Sequence, residues 1–330
     1  MQLLSILFII LVFCILTNSR LSLSYATMGL ELWFQKMIPT LLPFMILSGI
    51  MVRLKLTEKI SMLAYPVIHP VFKVRKNVCY AMLMGFLCGF PMGAKVVNDL
   101  YSREMITKRE AEYLLSFCNN IGPVYFCGFV LPLLKRQLVF PYLFGMYGIP
   151  LLYGLTLRYT LFKDLDQEIK TKQSHIKALE ACEFTGEPSH AKVLTACESV
   201  RKPSFTDNLL EAVNSSIHSS VQSILMLGGY MILFNLLNLL PHLLMGQSPT
   251  LIAPLLEITG GLNLLEAALP LYSLLALSFG GISCIAQTYS CIGQTDLSIT
   301  NYVVHKAALT LLNALFYLGW FLLSPRLFLR

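Results

Sequence analysis

Residues 78–100 read VCYAMLMGFLCGFPMGAKVVNDL, an apolar run long enough to cross a bilayer, broken at its centre by Gly89, Phe90 and Pro91 and followed by a charged Lys95. A broken apolar segment has two readings. It is a kinked spanning helix whose freed backbone groups are satisfied by neighbours, or a re-entrant hairpin that enters and leaves on one side. Residues 266–293 form a second such run, interrupted by FGGISCIAQT at 279–288. Which reading holds for these two runs decides the fold.

The surrounding chain is membrane-like. Of its 330 residues, 55% are apolar and only 13% charged, with a mean hydropathy of +0.65. That balance lies outside the range of soluble domains. Unbroken apolar runs at 3–17, 37–51, 110–133, 138–161, 217–240 and 298–323 approach or exceed the ~20 residues a spanning helix needs. The first can be read as a signal peptide or as a retained anchor. No positive charge precedes it, which favours the anchor.

The net charge of +7 carries no basic stripe interleaved with aromatics, so nucleic acid is not an expected partner. Topology explains it better. With a cytoplasmic N-terminus and both broken segments re-entrant, nineteen of the 25 Lys and Arg fall in the cytoplasm. Arg20, Lys36, Lys135, Arg136 and Lys306 fall outside or near the outer boundary, and Lys95 stays in the membrane. Each half then repeats the order span, hairpin, span in opposite orientation. The expected fold is an all-α integral membrane protein, an inverted repeat with two re-entrant helical hairpins and about six spanning helices. Its parts are an anchor at 1–29, a first repeat with a linking span at 30–161, a charged cytoplasmic loop at 162–204 and a second repeat at 205–330. An offset of 193 pairs Phe86 with Phe279 and Asn120 with Asn313. Inverted repeats with paired breaks point to a transporter whose site lies near the midplane.

Three stretches, GFPMGAK at 89–95, ITKREAEYLLSFCNNIGP at 106–123 and LSFGGISCIAQ at 277–287, resemble the YlbJ-type sporulation integral membrane proteins. Those belong to the nucleoside-recognition, or Gate, superfamily. The resemblance spans about 37–323 and implies passage of dipicolinate, an aromatic dicarboxylate, during spore formation. It places the protein in the plasma membrane or the mother-cell-derived forespore membrane of a spore-forming bacterium.

The residues themselves suggest a site. A half-helix starting after Pro91 points free N–H groups into the break, with Gly93 and Lys95 in its first turns. A mid-membrane lysine costs roughly 2.5–3.5 kcal/mol, so it wants a partner. An anionic substrate supplies one; otherwise the lysine pairs with Asp99, one turn on, or snorkels to the cytoplasmic surface. Asn119 and Asn120, followed by Gly122 and Pro123, suggest an unwound span whose amides face substrate or pack between helices. Ser283, Gln287, Thr288 and Asn313 are the matching polar set in the second half. Neither break as drawn contains Asp or Glu, which makes a nucleoside the second choice of substrate. Glu257, Glu266, Asp296 and His305 could relay protons, but their place near the expected outer boundaries favours a solvated role.

No cofactor or metal is expected: His175, Cys182, His190 and Cys197 in the charged loop fit no zinc spacing. No catalytic motif such as H-E-x-x-H or G-x-S-x-G occurs, so enzyme activity is not expected. The expected partners are a small organic anion and the lipid bilayer; homo-oligomerisation stays open, as does a structural role in spore assembly.

Overall fold

The computed structural model of the chain describes residues 2–134, 138–165, 205–265 and 269–327. Residues 166–204 of the charged loop with its Cys and His residues, Glu266, Lys135, Arg136 and Arg330 lie outside them. The described residues are helical, and five stretches are long and apolar enough to cross a membrane: Ser19–Arg53, Val139–Tyr159, Asn208–Met245, Pro270–Ile292 and Ile299–Leu323.

The first long pass joins α2 (Ser19–Leu32) to α3 (Ile38–Arg53) through a wider π turn at Trp33–Met37. A division after residue 29 would therefore cut a helix. Preceding it is α1 (Gln2–Thr17). The pass runs antiparallel to the Phe205–Leu236 helix, here α13. Apolar side chains gain nothing by leaving lipid for one another, so close approach of backbones supplies the packing. A Cβ on Gly49 would stand 3.0 Å from Ser216 Oγ, and the Trp33 indole lies over Gly228 and donates to Ile224 O at 2.8 Å.

After two short helices, α4 (Thr57–Ser61) and α5 (Tyr65–Phe72), α6 (Lys76–Cys88) and α7 (Met92–Ser102) fold back side by side. The first broken run is thus a re-entrant hairpin. The chain then re-enters as α8 (Lys108–Leu115), whose start is fixed by a capping box between Thr107 and Glu110. Arg75 reinforces it, donating from Nε to Glu110 Oε1 at 2.8 Å. The helix unwinds at 116–122 and resumes through α9 (Pro123–Tyr125), a π turn and α10 (Leu131–Leu133). The linking span returns as α11 (Val139–Leu143), a π turn and α12 (Ile149–Tyr159).

Polar contacts fix which segments share an end of the bundle. At one end Arg53 Nη2 donates to Ser215 O at 3.3 Å and Arg158 Nε to Phe72 O at 2.9 Å. There too Lys108 Nζ donates to Asp296 Oδ2 at 2.9 Å. That bond, with a second from Tyr101, holds the Asp296 carboxyl below the usual carboxylate range. At the other end Tyr25 meets His242 in α14 (Leu239–Met245) at 2.7 Å, and the Tyr272 hydroxyl donates to Leu251 O.

This sidedness corrects the second half. Tyr272 stands at one end and Asp296 at the other, so α17 (Pro270–Phe279) and α18 (Gly281–Ile292) cross the bundle end to end. The second broken run is a broken span. The second hairpin precedes it: α15 (Ala253–Leu256) and α16 (Ile258–Leu265) fold back around Glu257, and Gly261 packs on Pro254. The final helix, α19 (Ile299–Leu323), runs from the Asp296 end to the other, where Trp320 packs 5.7 Å from Phe140.

The inverted repeat survives with a different register. Long helix, hairpin, broken span and span occur as 19–53, α6–α7, α8–α10 and α11–α12, then again as α13, α15–α16, α17–α18 and α19. The unwound segment after α8 therefore matches the Gly280 break, and the offset of 193 that pairs Asn120 with Asn313 fails. Arg53, Lys55, Arg75, Arg103, Lys108, Arg109 and Arg158 mark the first end as cytoplasmic, while Arg326 moves to the opposite end.

Thiol labelling tests this topology directly. With other accessible thiols removed, Gln294→Cys is expected to react with an impermeant reagent only from the cytoplasmic face and Ser248→Cys only from the opposite face. Reaction of both from outside would restore the re-entrant reading of 266–293.

Candidate functional site

The two hairpin tips reach the two helix breaks. At the first tip the Phe90 amide donates to Asn120 O at 2.6 Å, seating Gly89 against the unwound segment. At the second, Gly281 lies against Leu256 and Ile258 on either side of Glu257. Phe90 also lies beside Gly280, so both breaks meet at one place in the bundle. Gly280 and Gly281 take φ of +83° and +81°, values that a residue with a Cβ rarely adopts.

Two cavities flank this meeting point. The larger, about 320 Å³, opens between α7, α13 and α18 and is lined by Lys95, Asp99, Ser219, Gln222, Gln287 and Ser290, with Pro91 among its other walls. Its size falls in the range of about 300–1,000 Å³ seen for small-molecule sites. The smaller, about 30 Å³, has room for roughly one water and is walled by Phe90, Tyr125, Glu257, Thr259 and Gln287. Gln287 borders both. Its amide donates to Ser283 Oγ at 2.7 Å, one helical turn away, so Ser283 fixes the partition.

Lys95 therefore faces a polar cavity, and it also has a partner: Asp99 Oδ2 stands 3.9 Å away on the next turn. The lysine thus lines the cavity while standing beside its helical neighbour. Asn119 reaches across the repeats, donating to Thr288 Oγ1 at 2.9 Å and to Tyr302 at 3.3 Å. Asn120 donates to Phe117 O at 2.6 Å. Gly93 is a packing position, because a Cβ there would stand 3.0 Å from Asn119 Oδ1. Of the expected residues, Pro91, Lys95 and Gln287 line a cavity, and Asn119, Asn120, Ser283 and Thr288 form the wall behind. Asn313 is apart from them: it is buried beside Gly145 and Tyr317.

Two buried ionisable residues were not expected here. Lys306, placed by sequence near the outer boundary, is 4% exposed, 3.4 Å from Asn120 Oδ1 and 5.9 Å above the Phe90 ring. Among the described residues no carboxylate lies within ion-pair distance of it. Glu257, read as solvated, is 2% exposed at the second hairpin tip. It accepts from the Thr259 amide at 3.1 Å, the Gly260 amide at 2.6 Å and Asn235 Nδ2 at 3.2 Å. Its carboxylate thereby satisfies the first free donors of α16. The sequence signal was APLLEITGG at 253–261, a short apolar piece with Pro and paired Gly that echoes GFPMGAK. Asp296 is exposed as expected, though at the cytoplasmic end, while His305 is half-buried and bonded to Tyr153 at 2.7 Å.

An all-α, multi-pass integral membrane protein with opposed hairpins around a central cavity is the class these features define. Over an aligned length of 329 residues the chain is 26% identical to "Sporulation integral membrane protein YlbJ" of Bacillus subtilis (strain 168), covering 91% of this chain and 77% of that relative. This likeness supports a YlbJ-type assignment. No family model matches it. No solved structure matches it either.

Proposed function

We propose that this protein is a transporter of a small organic dianion, dipicolinate, acting during spore formation. One observation carries the reading: the polar cavity holding Lys95 reaches the first hairpin tip at Pro91 and shares Gln287 with the small cavity between the two tips, the kind of place where alternating access needs its substrate. The YlbJ relative's name supplies the link to sporulation. Lys95 is the first positive charge, held meanwhile by Asp99. A substrate carboxylate would replace Asp99 as its partner. Lys306, behind Phe90 and Asn120, is a second positive charge one step deeper, reached when the tips part.

A nucleoside is the second reading, and Glu257 favours it. The argument from missing carboxylates falls once the second tip is located at 256–258, because that tip is acidic. Against it, Glu257 is already occupied by three donors, leaving little acceptor capacity for a ribose.

Flux into proteoliposomes containing the purified protein separates these readings. Dipicolinate uptake is expected to exceed that of uridine or adenosine. Lys95→Gln is expected to weaken dipicolinate about ten- to a hundredfold, the worth of a charge-assisted hydrogen bond, while leaving nucleosides unaffected. Asp99→Asn, which frees Lys95, is expected to bind dipicolinate more tightly. Nucleoside flux alone would select the second reading, and no flux of either would select an assembly role.

A further inference from the structure

A third cavity stands between the cytoplasm and Lys95. It measures about 350 Å³ and lies where the ends of α3 and α7 meet the start of α13. Arg53, Lys55 and Arg103 line it together with a single carboxylate, Glu211. None of the three cations makes an ion pair among the described residues. Arg53 is held in place by its bond to Ser215 O. Arg53 and Ser215 also border an adjoining cavity of about 470 Å³ along α13, which reaches Ser219. Ser219 in turn lines the Lys95 cavity. The cavities thus share walls from the basic mouth inward to Lys95.

Two general effects place basic residues here without any ligand. Cations favour helix C-termini, and cytoplasmic ends of membrane proteins are positive. Neither effect gathers three unpaired cations from two different helix ends around one cavity, nor sets that cavity in a row with the polar one at Lys95 through shared wall residues.

We infer that Arg53, Lys55 and Arg103 form an anion-capture subsite at the cytoplasmic mouth, which takes small dicarboxylates and passes them to the Lys95 cavity. This deepens the proposed function and rests on it for the direction of the path. Excess positive charge at a concave mouth with low-dielectric walls concentrates anions and raises their association rate, with strong dependence on salt. A neutral solute of equal size gains nothing from it.

The test uses the full chain in phosphatidylcholine nanodiscs, with dipicolinate and phthalate as binding probes and uridine as the neutral control. The double variant Lys55→Gln/Arg103→Gln is compared with the charge-preserving Lys55→Arg/Arg103→Lys. Association of both dicarboxylates to the Gln variant is expected to slow about tenfold at low salt and to match the parent at high salt. The charge-preserving variant should stay near the parent, which separates loss of charge from loss of fold. If the parent transports dipicolinate and the Gln variant associates at the same rate and salt slope, the subsite is refuted and the transporter reading stands. If the parent transports no dipicolinate yet binds dicarboxylates in a manner the Gln variant loses, the subsite stands and the substrate assignment fails. Binding of neither probe overturns both. Repeating the assay with phosphatidylglycerol in the disc identifies the other source of anionic groups: a variant effect seen only with that lipid means a headgroup site, and the inference is wrong.

Discussion

Gly89→Ala is expected to leave little folded protein in the membrane. Gly89 has φ 77° and ψ −170°, a region essentially restricted to glycine, where another residue pays about 1–3 kcal/mol of strain. Space is a second obstacle. A Cβ there would stand 2.8 Å from Asn120 O and closer still to the Gly122 amide. Both are backbone atoms of the unwound segment, so no side chain can swing away. Overpacking of this kind costs roughly another 1–3 kcal/mol. The sum is a large fraction of the stability of a typical domain. Gly128→Ala is the control, since nothing lies within 4 Å of a Cβ at that position. Quantifying monodisperse protein after detergent extraction, and its melting temperature, checks the pair. Equal yields and equal melting temperatures would mean that the hairpin tip is free to move away from the unwound segment.

The same tip shows how far sequence alone could go. GFPMGAK was legible because a Gly-Phe-Pro break inside a long apolar run leaves few alternatives, and basic residues on both flanks fixed its side. The second hairpin had no such frame. Its arms, α15 and α16, are too short to register as apolar runs, whereas the broken span that follows is long, apolar and interrupted by paired glycines, so it imitated the first hairpin. Charge could not correct the error. Residues 243–301 contain no Lys or Arg, and the basic residues that report sidedness are therefore missing from the whole stretch. The distinguishing contact, Lys108 with Asp296, joins residues far apart in sequence. The candidate site was legible in parts for the same reason. Lys95, Gln287 and the Asn pair follow from breaks in otherwise apolar runs. Lys306 was misplaced because the direction of α19 depends on whether 266–293 crosses, and reversing that helix changes which of its turns lies at the membrane surface.

Lys306→Met is expected to produce a protein at least as stable as the parent and unable to carry a dianion efficiently. A lysine at mid-membrane costs roughly 2.5–3.5 kcal/mol. Two contacts offset this. The hydrogen bond to Asn120 is long at 3.4 Å, and such a bond to a charged group contributes at best about 1.5–3 kcal/mol. The Phe90 ring, 5.9 Å away, is at the edge of cation–π range and adds about 0.5–1 kcal/mol. With both contacts near their weak limits, the charge brings no net stability, and methionine fills similar space without the desolvation cost. A structural role therefore does not account for the lysine, whereas the proposed contact with a substrate carboxylate would. Dipicolinate flux per folded molecule should fall at least tenfold, in keeping with the loss of a charge-assisted contact. Uridine should be unaffected. The measurements are initial uptake rates in proteoliposomes, normalised to reconstituted protein, alongside melting temperatures in detergent. A lower melting temperature with unchanged dipicolinate flux would show that Lys306 holds the tip of the first hairpin against Asn120 and has no part in substrate recognition.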